Sequence, residues 1–146
     1  MKAQALSRRS FATGAVVLAF AAALPALAQK PAHKNQVVMQ VSDNDQAKWN
    51  LALNNAANLQ KDLGMDDVEL EIVVYGPGIG MLKSDSPVAA RISSALGNGI
   101  KVVACENTMA GQKLQKSDML PNIGYVQAGV VELMRKQQQG WAYLRP

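Results

Sequence analysis

Short apolar runs alternate along the chain with longer segments that have the spacing of a helix. Between the first two runs, residues 46–63 carry apolar side chains every three or four positions, as one face of a helix does. This alternation predicts a repeated strand–helix arrangement. The predicted strands are Val37–Ser42, Glu69–Tyr75 and Lys101–Ala104, with shorter ones around Ile123–Val126 and in the closing "WAYLRP".

Cap and turn residues indicate where the helices begin and end. Asp43 or Asn44 offers an N-cap for the helix over residues 46–63, and Gly64 offers a stop. A Ser-Pro pair is typical of the start of the next helix. The remaining helices are predicted from Ser86 to Leu96, from Asn107 or Thr108 to about Gln115, and from Gln127 to Gly140.

Strands that are separated by helices form βα units, whose strands pair in parallel under helices on both faces. The sequence therefore predicts an α/β fold, a three-layer α/β/α sandwich with a mostly parallel sheet of four to five strands. The glycine-rich stretch from Gly76 to Ser84 is predicted to be a loop. We place this domain at residues 36–146, after a flexible lead-in at residues 29–35.

Residues 1–28 have the organisation of a cleaved signal peptide. A basic start precedes an apolar stretch at Phe11–Leu24, and Ala26-Leu27-Ala28 matches a signal peptidase site. The apolar stretch is shorter than the roughly 20 residues that a membrane span needs, although a retained anchor is the alternative. Arg8-Arg9 in "SRRSFA" favours the twin-arginine route over general secretion. We expect cleavage near Ala28, a periplasmic location and no stable membrane insertion.

Charge and composition argue against nucleic-acid binding and against a site built on histidine. The chain has 15 Lys+Arg against 11 Asp+Glu, but removal of residues 1–28 leaves 12 against 11 and no basic patch. Nucleic-acid binding therefore has no electrostatic basis. The only histidine, His33, lies in the lead-in, so neither a metal site nor a Cys–His pair is expected. No cofactor is predicted.

The single cysteine, Cys105, lies where the third strand meets its helix. In parallel sheets, reactive groups gather beyond the carboxyl ends of the strands, so the loops at 42–44, 76–84 and 105–107 should converge. N–H groups of the following helix favour a thiolate, whereas Glu106 opposes it. We predict that Cys105 lies at the mouth of a shallow pocket. Because cysteine is also among the most often buried residues, a structural Cys105 remains the alternative.

Other polar and aromatic features have ordinary structural explanations. "GPGIG" lacks the spacing of a phosphate or dinucleotide loop, which favours a close approach of two backbones. Glu69 and Glu71 are predicted to be solvated. Trp141 and Tyr143 are predicted to lie in the core or at a subunit interface. The repeated asparagines Asn50, Asn54 and Asn58 predict a solvated stripe, with a polar interface as the alternative.

Three segments resemble the DsrE/DsrF-like family of small α/β proteins linked to sulfur relay. They are "VVYGPGIGMLKSDS", "GIKVVACENTM" and "QAGVVELMRKQQQGWAYLRP", within a likeness that covers Gln36 to Pro146. The resemblance implies that Cys105, at the third βα junction, carries sulfur as a persulfide. It also implies assembly into oligomers, here a dimer or trimer.

Two functions remain open at this point. In the first, Cys105 passes sulfane sulfur from a donor to a partner thiol or sulfur-carrier protein, so that the protein is at most a weak sulfurtransferase. The substrate-binding candidates at the converging loops are Asn107, Thr108, Gly76, Gly78 and Asp43. In the second, the protein is a non-catalytic periplasmic binding or assembly module, and Cys105 is a packing residue.

Overall fold

The computed structural model describes residues 35–146, which form a five-stranded sheet with every strand parallel to its neighbours. Numbered along the chain, the strands lie in the order 4-3-2-1-5. The predicted α/β sandwich is confirmed. The strands are β1 (Asn35–Val41), β2 (Val68–Val74), β3 (Lys101–Cys105), β4 (Gly124–Val126) and β5 (Ala142–Leu144). The helices are α1 (Gln46–Leu63), α2 (Ala89–Gly97), α3 (Glu106–Gly111) and α4 (Gly129–Gln138).

The larger apolar core lies on the face of the sheet that packs against α1 and α2. Alternate side chains of β1, β2 and β3 point into it, as the twofold repeat of a strand requires. The stretch predicted as a loop also contributes, because Gly76–Leu82 forms a 3-10 helix with Ile79, Met81 and Leu82 fully buried. The loop prediction was therefore wrong, since burial of three large side chains holds this segment against the sheet.

The opposite face carries a smaller core beneath α4. Val38, Val73 and Val103 of the sheet pack there with Leu133 of α4 and Trp141. Among the helices at residues 35–146, α4 is the one whose apolar side chain packs on this face. Trp141 is buried, as predicted, whereas Tyr143 is partly exposed and donates its hydroxyl hydrogen bond to Gln40.

The face under α4 also contains a buried carboxylate. Glu71 was predicted to be solvated, but it is 4% exposed and pairs with Lys136 of α4 at 2.8 Å. Glu69, two residues earlier on the same face, pairs with Lys101 at 2.6 Å nearer the solvent. The prediction for Glu71 was wrong because its position on β2 falls directly under α4.

Local hydrogen bonds correct several predicted helix ends. The N-cap of α1 is Asp45, whose carboxylate accepts the N–H groups of Ala47 and Lys48. It is neither Asp43 nor Asn44. The Ser86-Pro87 pair forms a turn, so α2 begins at Ala89. Gly64 ends α1 as predicted. The third helix starts one or two residues earlier than expected and ends sooner, and the fourth starts two residues later.

Several predictions concern residues that the structure does not describe. The signal peptide at residues 1–28 and all but the last residue of the lead-in at 29–35 are not described, and Asn35 already belongs to β1. No helix in the described part of the chain combines the length and hydropathy that crossing a membrane requires. Within residues 35–146, no three His, Cys, Asp or Glu side chains gather as metal ligands.

Candidate functional site

Cys105 is both the last residue of β3 and the N-cap of α3, so the predicted placement at this junction is confirmed. Its Sγ accepts the backbone N–H of Thr108 at 3.4 Å, where a serine or aspartate oxygen usually stands. The thiol donates to the backbone carbonyl of Gln127 at 3.8 Å. Because Gln127 joins β4 to α4, the sulfur lies where two strand ends meet two helix starts.

The groups around the sulfur favour its ionised form. Burial raises the pKa of Cys105, but the nearby Thr108 hydroxyl and the backbone N–H groups of Gly129, Thr108 and Asn107 stabilise the negative charge and lower the pKa. The lowering effect is larger, so the pKa lies below that of an ordinary thiol. Glu106, which was expected to oppose ionisation, forms an ion pair with Lys116 at 3.2 Å.

The thiol is less accessible than the sequence predicted. Cys105 is 4% exposed, so the expected position at the open mouth of a pocket was wrong for the described chain. A groove of about 370 Å³ runs beside it, lined by the segment Val126–Ala128 and by side chains of α4. Gln127 lines this groove and its carbonyl oxygen also accepts the thiol hydrogen bond, so Gln127 is the residue that the groove and the sulfur share.

Two predicted site residues, Asn107 and Thr108, do lie at the sulfur. The side-chain oxygen of Thr108 accepts the Gly76 N–H at 2.9 Å, which ties α3 to the 3-10 helix. The Asn107 N–H donates to the Gln127 carbonyl at 3.1 Å, and the Gln127 side-chain amide donates back to the Asn107 side chain at 2.6 Å. Asn107 and Gln127 thus form a two-bond link next to the thiol.

The predicted N–H donors of the glycine-rich stretch already have partners. The Gly76 N–H is used by Thr108, and the Gly78 N–H donates to Ser42 and Tyr75 carbonyls at 3.1 and 3.2 Å. A Cβ at Gly78 would lie 2.8 Å from the Val41 carbonyl oxygen. The two-backbone explanation of this stretch is therefore correct, and the N–H groups of Gly76 and Gly78 are already hydrogen-bonded within the fold.

Asp43 contributes to a different surface. Its carboxylate pairs with Lys48 at 3.1 Å and with Arg145 at 3.5 Å, and these cations hold its pKa below the usual value, although burial works against them. It follows β1, whereas Cys105 ends β3, with β2 between them. The structure therefore gives no contact between Asp43 and the thiol. The predicted asparagine stripe is also partly engaged, since Arg91 of α2 donates to the side chains of Asn50 and Asn54.

Gln127 and Gly129 are site residues that the sequence did not identify. They belong to the connection between β4 and α4, which reaches the sulfur because β4 pairs with β3 so that Cys105 lies opposite Val126. The "GYVQAG" stretch has no motif that indicates this contact. A register prediction for a three-residue strand would have been needed to find it.

Comparison with known proteins assigns the chain to a family. The model of the DsrE/DsrF-like family matches residues 35–146, which is the whole of the described domain. The chain belongs to the DsrE/DsrF-like family. A search of curated proteins finds no match.

Solved structures share the fold of this family member. A protein of unknown function from Methanobacterium thermoautotrophicum, MTH1491, is 33% identical, with 77% of this chain and 99% of that chain covered and a TM-score of 0.73. BT1422 from Bacteroides thetaiotaomicron is 16% identical over 81% of this chain and 100% of its own, with a TM-score of 0.65. The ychN protein of E. coli is 12% identical over 77% and 99%, with a TM-score of 0.62.

Proposed function

We propose that this protein carries sulfane sulfur as a persulfide on Cys105 and acts in a sulfur relay. The observation that carries the proposal is the convergence of the first turns of α3 and α4 on one sulfur, whose pKa they lower. A thiolate is the form that attacks sulfane sulfur, and the persulfide anion it yields would be held by the same N–H groups. Membership of the DsrE/DsrF-like family supports a sulfur-relay type of protein.

The reaction balances without an added oxidant. The Cys105 thiolate attacks the terminal sulfur of a donor persulfide, so that a new S–S bond forms while the donor S–S bond breaks. The donor leaves as a thiolate with the electron pair. An acceptor thiolate then attacks the terminal sulfur on Cys105, and Cys105 leaves as the thiolate. Because the chain has one cysteine, both donor and acceptor are other molecules.

Access to Cys105 requires a local opening, since the residue is 4% exposed. The link between Asn107 and Gln127 is the natural point of opening, because both side chains are at the surface and their bonds can be replaced by water. Movement of Gln127 would connect the sulfur to the neighbouring groove. We place donor and acceptor entry there, beside the start of α4.

The second candidate function is a non-catalytic binding or assembly module with a structural Cys105. The burial of the thiol favours it, since a small apolar side chain could occupy the same place. The hydrogen bonds to the sulfur oppose it, because a packing cysteine does not need several donors.

Location and assembly are further parts of the proposal. We propose export by way of Arg8-Arg9, cleavage near Ala28 and a periplasmic site of action. We also propose a homo-oligomer, a dimer or trimer, that uses the exposed apolar side chains of α4 and β5.

Sulfur loading tests the proposed function. The protein is incubated with a low-molecular-weight persulfide, and its intact mass is measured before and after addition of an acceptor thiol. We expect one added sulfur atom that the acceptor removes, and none in Cys105→Ser. Sulfur addition that is equal in Cys105→Ser, or absent from the native protein, would show that Cys105 is not the carrier.

A further inference from the structure

A buried ion pair attaches α4 to the centre of the sheet. The Lys136 ammonium lies 2.8 Å from a carboxylate oxygen of Glu71, and their side chains are 13% and 5% exposed. The same ammonium lies 4.0 Å from the centre of the Trp141 ring. The second Glu71 oxygen is buried with no hydrogen-bond partner. These contacts fix the end of α4 that is remote from the thiol.

Buried ion pairs of this kind are poor sources of stability, because desolvation of both charges offsets their attraction. Burial raises the pKa of Glu71 in spite of Lys136, and Glu132 on the same helix adds to the rise. The other charged groups near this carboxylate are the Glu69–Lys101 pair on the same sheet face. What the pair does provide is a defined position for α4 relative to β2.

The other end of α4 lies at the sulfur. Its first residue, Gly129, packs so closely on Tyr75 that a Cβ would lie 3.0 Å from the ring. Gln127, two residues earlier, contacts Sγ at 3.8 Å. Lys136 is seven residues beyond Gly129, about 10 Å along the helix axis. A helix of this length moves as one body, so its attachment at Lys136 also fixes its first turn.

We propose that Lys136 is a positioning residue for Cys105, because its ion pair with Glu71 holds α4 where the segment that enters the helix, Gln127–Gly129, lies against the sulfur. The inference rests on the proposed function for its biological meaning. The predicted effect of the Glu71–Lys136 ion pair is on the ionisation of the Cys105 thiol, which is measurable without any sulfur transfer. Failure of sulfur loading and failure of this inference are therefore separate results.

The test measures thiolate absorbance against pH, with the Cys105→Ser spectrum subtracted. The main variant is Glu71→Gln combined with Lys136→Met, which removes two opposite charges and leaves the net charge unchanged. A long-range charge effect is therefore small, and a change in the thiol reports the position of α4. We expect the thiolate fraction near neutral pH to fall about two- to fivefold, the effect of losing one helix N-terminus.

Two controls separate position from charge and from general stability. Glu69→Gln with Lys101→Met removes an exposed pair on the same sheet face and should leave the thiolate fraction unchanged. Glu132→Gln removes a weaker partner of Lys136, at 3.7 Å, that lies on α4 itself and cannot attach the helix to the sheet. It should not lower the thiolate fraction.

Circular dichroism establishes which variants fold. Glu71→Gln with Lys136→Gln is a milder variant that also leaves the net charge unchanged, because two amides keep a weaker hydrogen bond between the helix and the sheet, and it should give a smaller fall in the same direction. The inference is overturned if either Glu71 variant folds and keeps the native thiolate fraction. It is also overturned if the Glu69–Lys101 control changes the thiol as much as the Glu71–Lys136 variant does.

Discussion

The hydrogen bonds of the Cys105 sulfur connect two different βα units, because the Thr108 N–H donates to Sγ at 3.4 Å and the thiol donates to the Gln127 carbonyl at 3.8 Å. The place of Cys105 at the end of β3 was predictable because an apolar run ends there and polar residues follow. The Thr108 N–H follows from the same local pattern, since an N-cap accepts from the third residue of its helix. Gln127 and Gly129 come from another βα unit, and only tertiary pairing brings them to the sulfur.

Replacement of Thr108 tests the local part of this environment. Thr108→Val keeps the shape and the backbone N–H but removes the hydroxyl that lowers the pKa of Cys105. A hydrogen bond to a charged group is worth enough to raise the thiol pKa by about one unit when it is lost. Thr108→Ser retains a hydroxyl and is the matched control. Thiolate absorbance against pH gives the comparison, and equal pKa values in Val and Ser variants would contradict this role.

Among the elements, long periodic segments were predicted well and short ones were not. The helix α1 was predicted with its observed bounds because 18 residues repeat the apolar face and Gly64 ends it. The 3-10 helix Gly76–Leu82 was missed because its glycines are typical of an open loop, whereas the apolar residues among them are buried. The carboxylate of Glu71 was misjudged for a similar reason, since alternation along β2 cannot show which helix covers the face.

The position of α4 relative to the Cys105 thiol also follows from the way the elements pack. A helix that is attached to β2 through Lys136 begins beside a sulfur carried by β3. The environment of Cys105 therefore depends on two βα units, and α4 is the element that joins them. Sequence periodicity predicted α4, but its role at the site follows only from the sheet order.

Across the whole molecule, the two faces of the sheet are covered unequally. The face under α1 and α2 holds the larger core, and the face under α4 holds a smaller one. Beside α4, Val130 and Met134 are 62% and 49% exposed, next to a groove of about 500 Å³ that Tyr143 also lines. Exposed apolar side chains that lie together are typical of a surface that meets another chain.

The proposed homo-oligomer should therefore depend on α4. Met134→Lys places a charge among these side chains and should shift the sedimenting species towards the monomer at micromolar concentration. Leu51→Lys is the matched control, because Leu51 is 46% exposed on α1, the helix on the other face. A native protein that sediments as a monomer would exclude the oligomer, and equal dissociation by both variants would exclude an interface at α4.

Alkylation of Cys105 in the folded protein over about pH 5 to 9 tests most directly whether this thiol is reactive. We predict reaction without denaturant, with a rate that rises through a pKa below that of a free thiol, which is about 8.5. The same measurement in denaturant should give the ordinary thiol pKa. If Cys105 reacts only after unfolding, the thiol is a packing residue and the sulfur-relay function is contradicted.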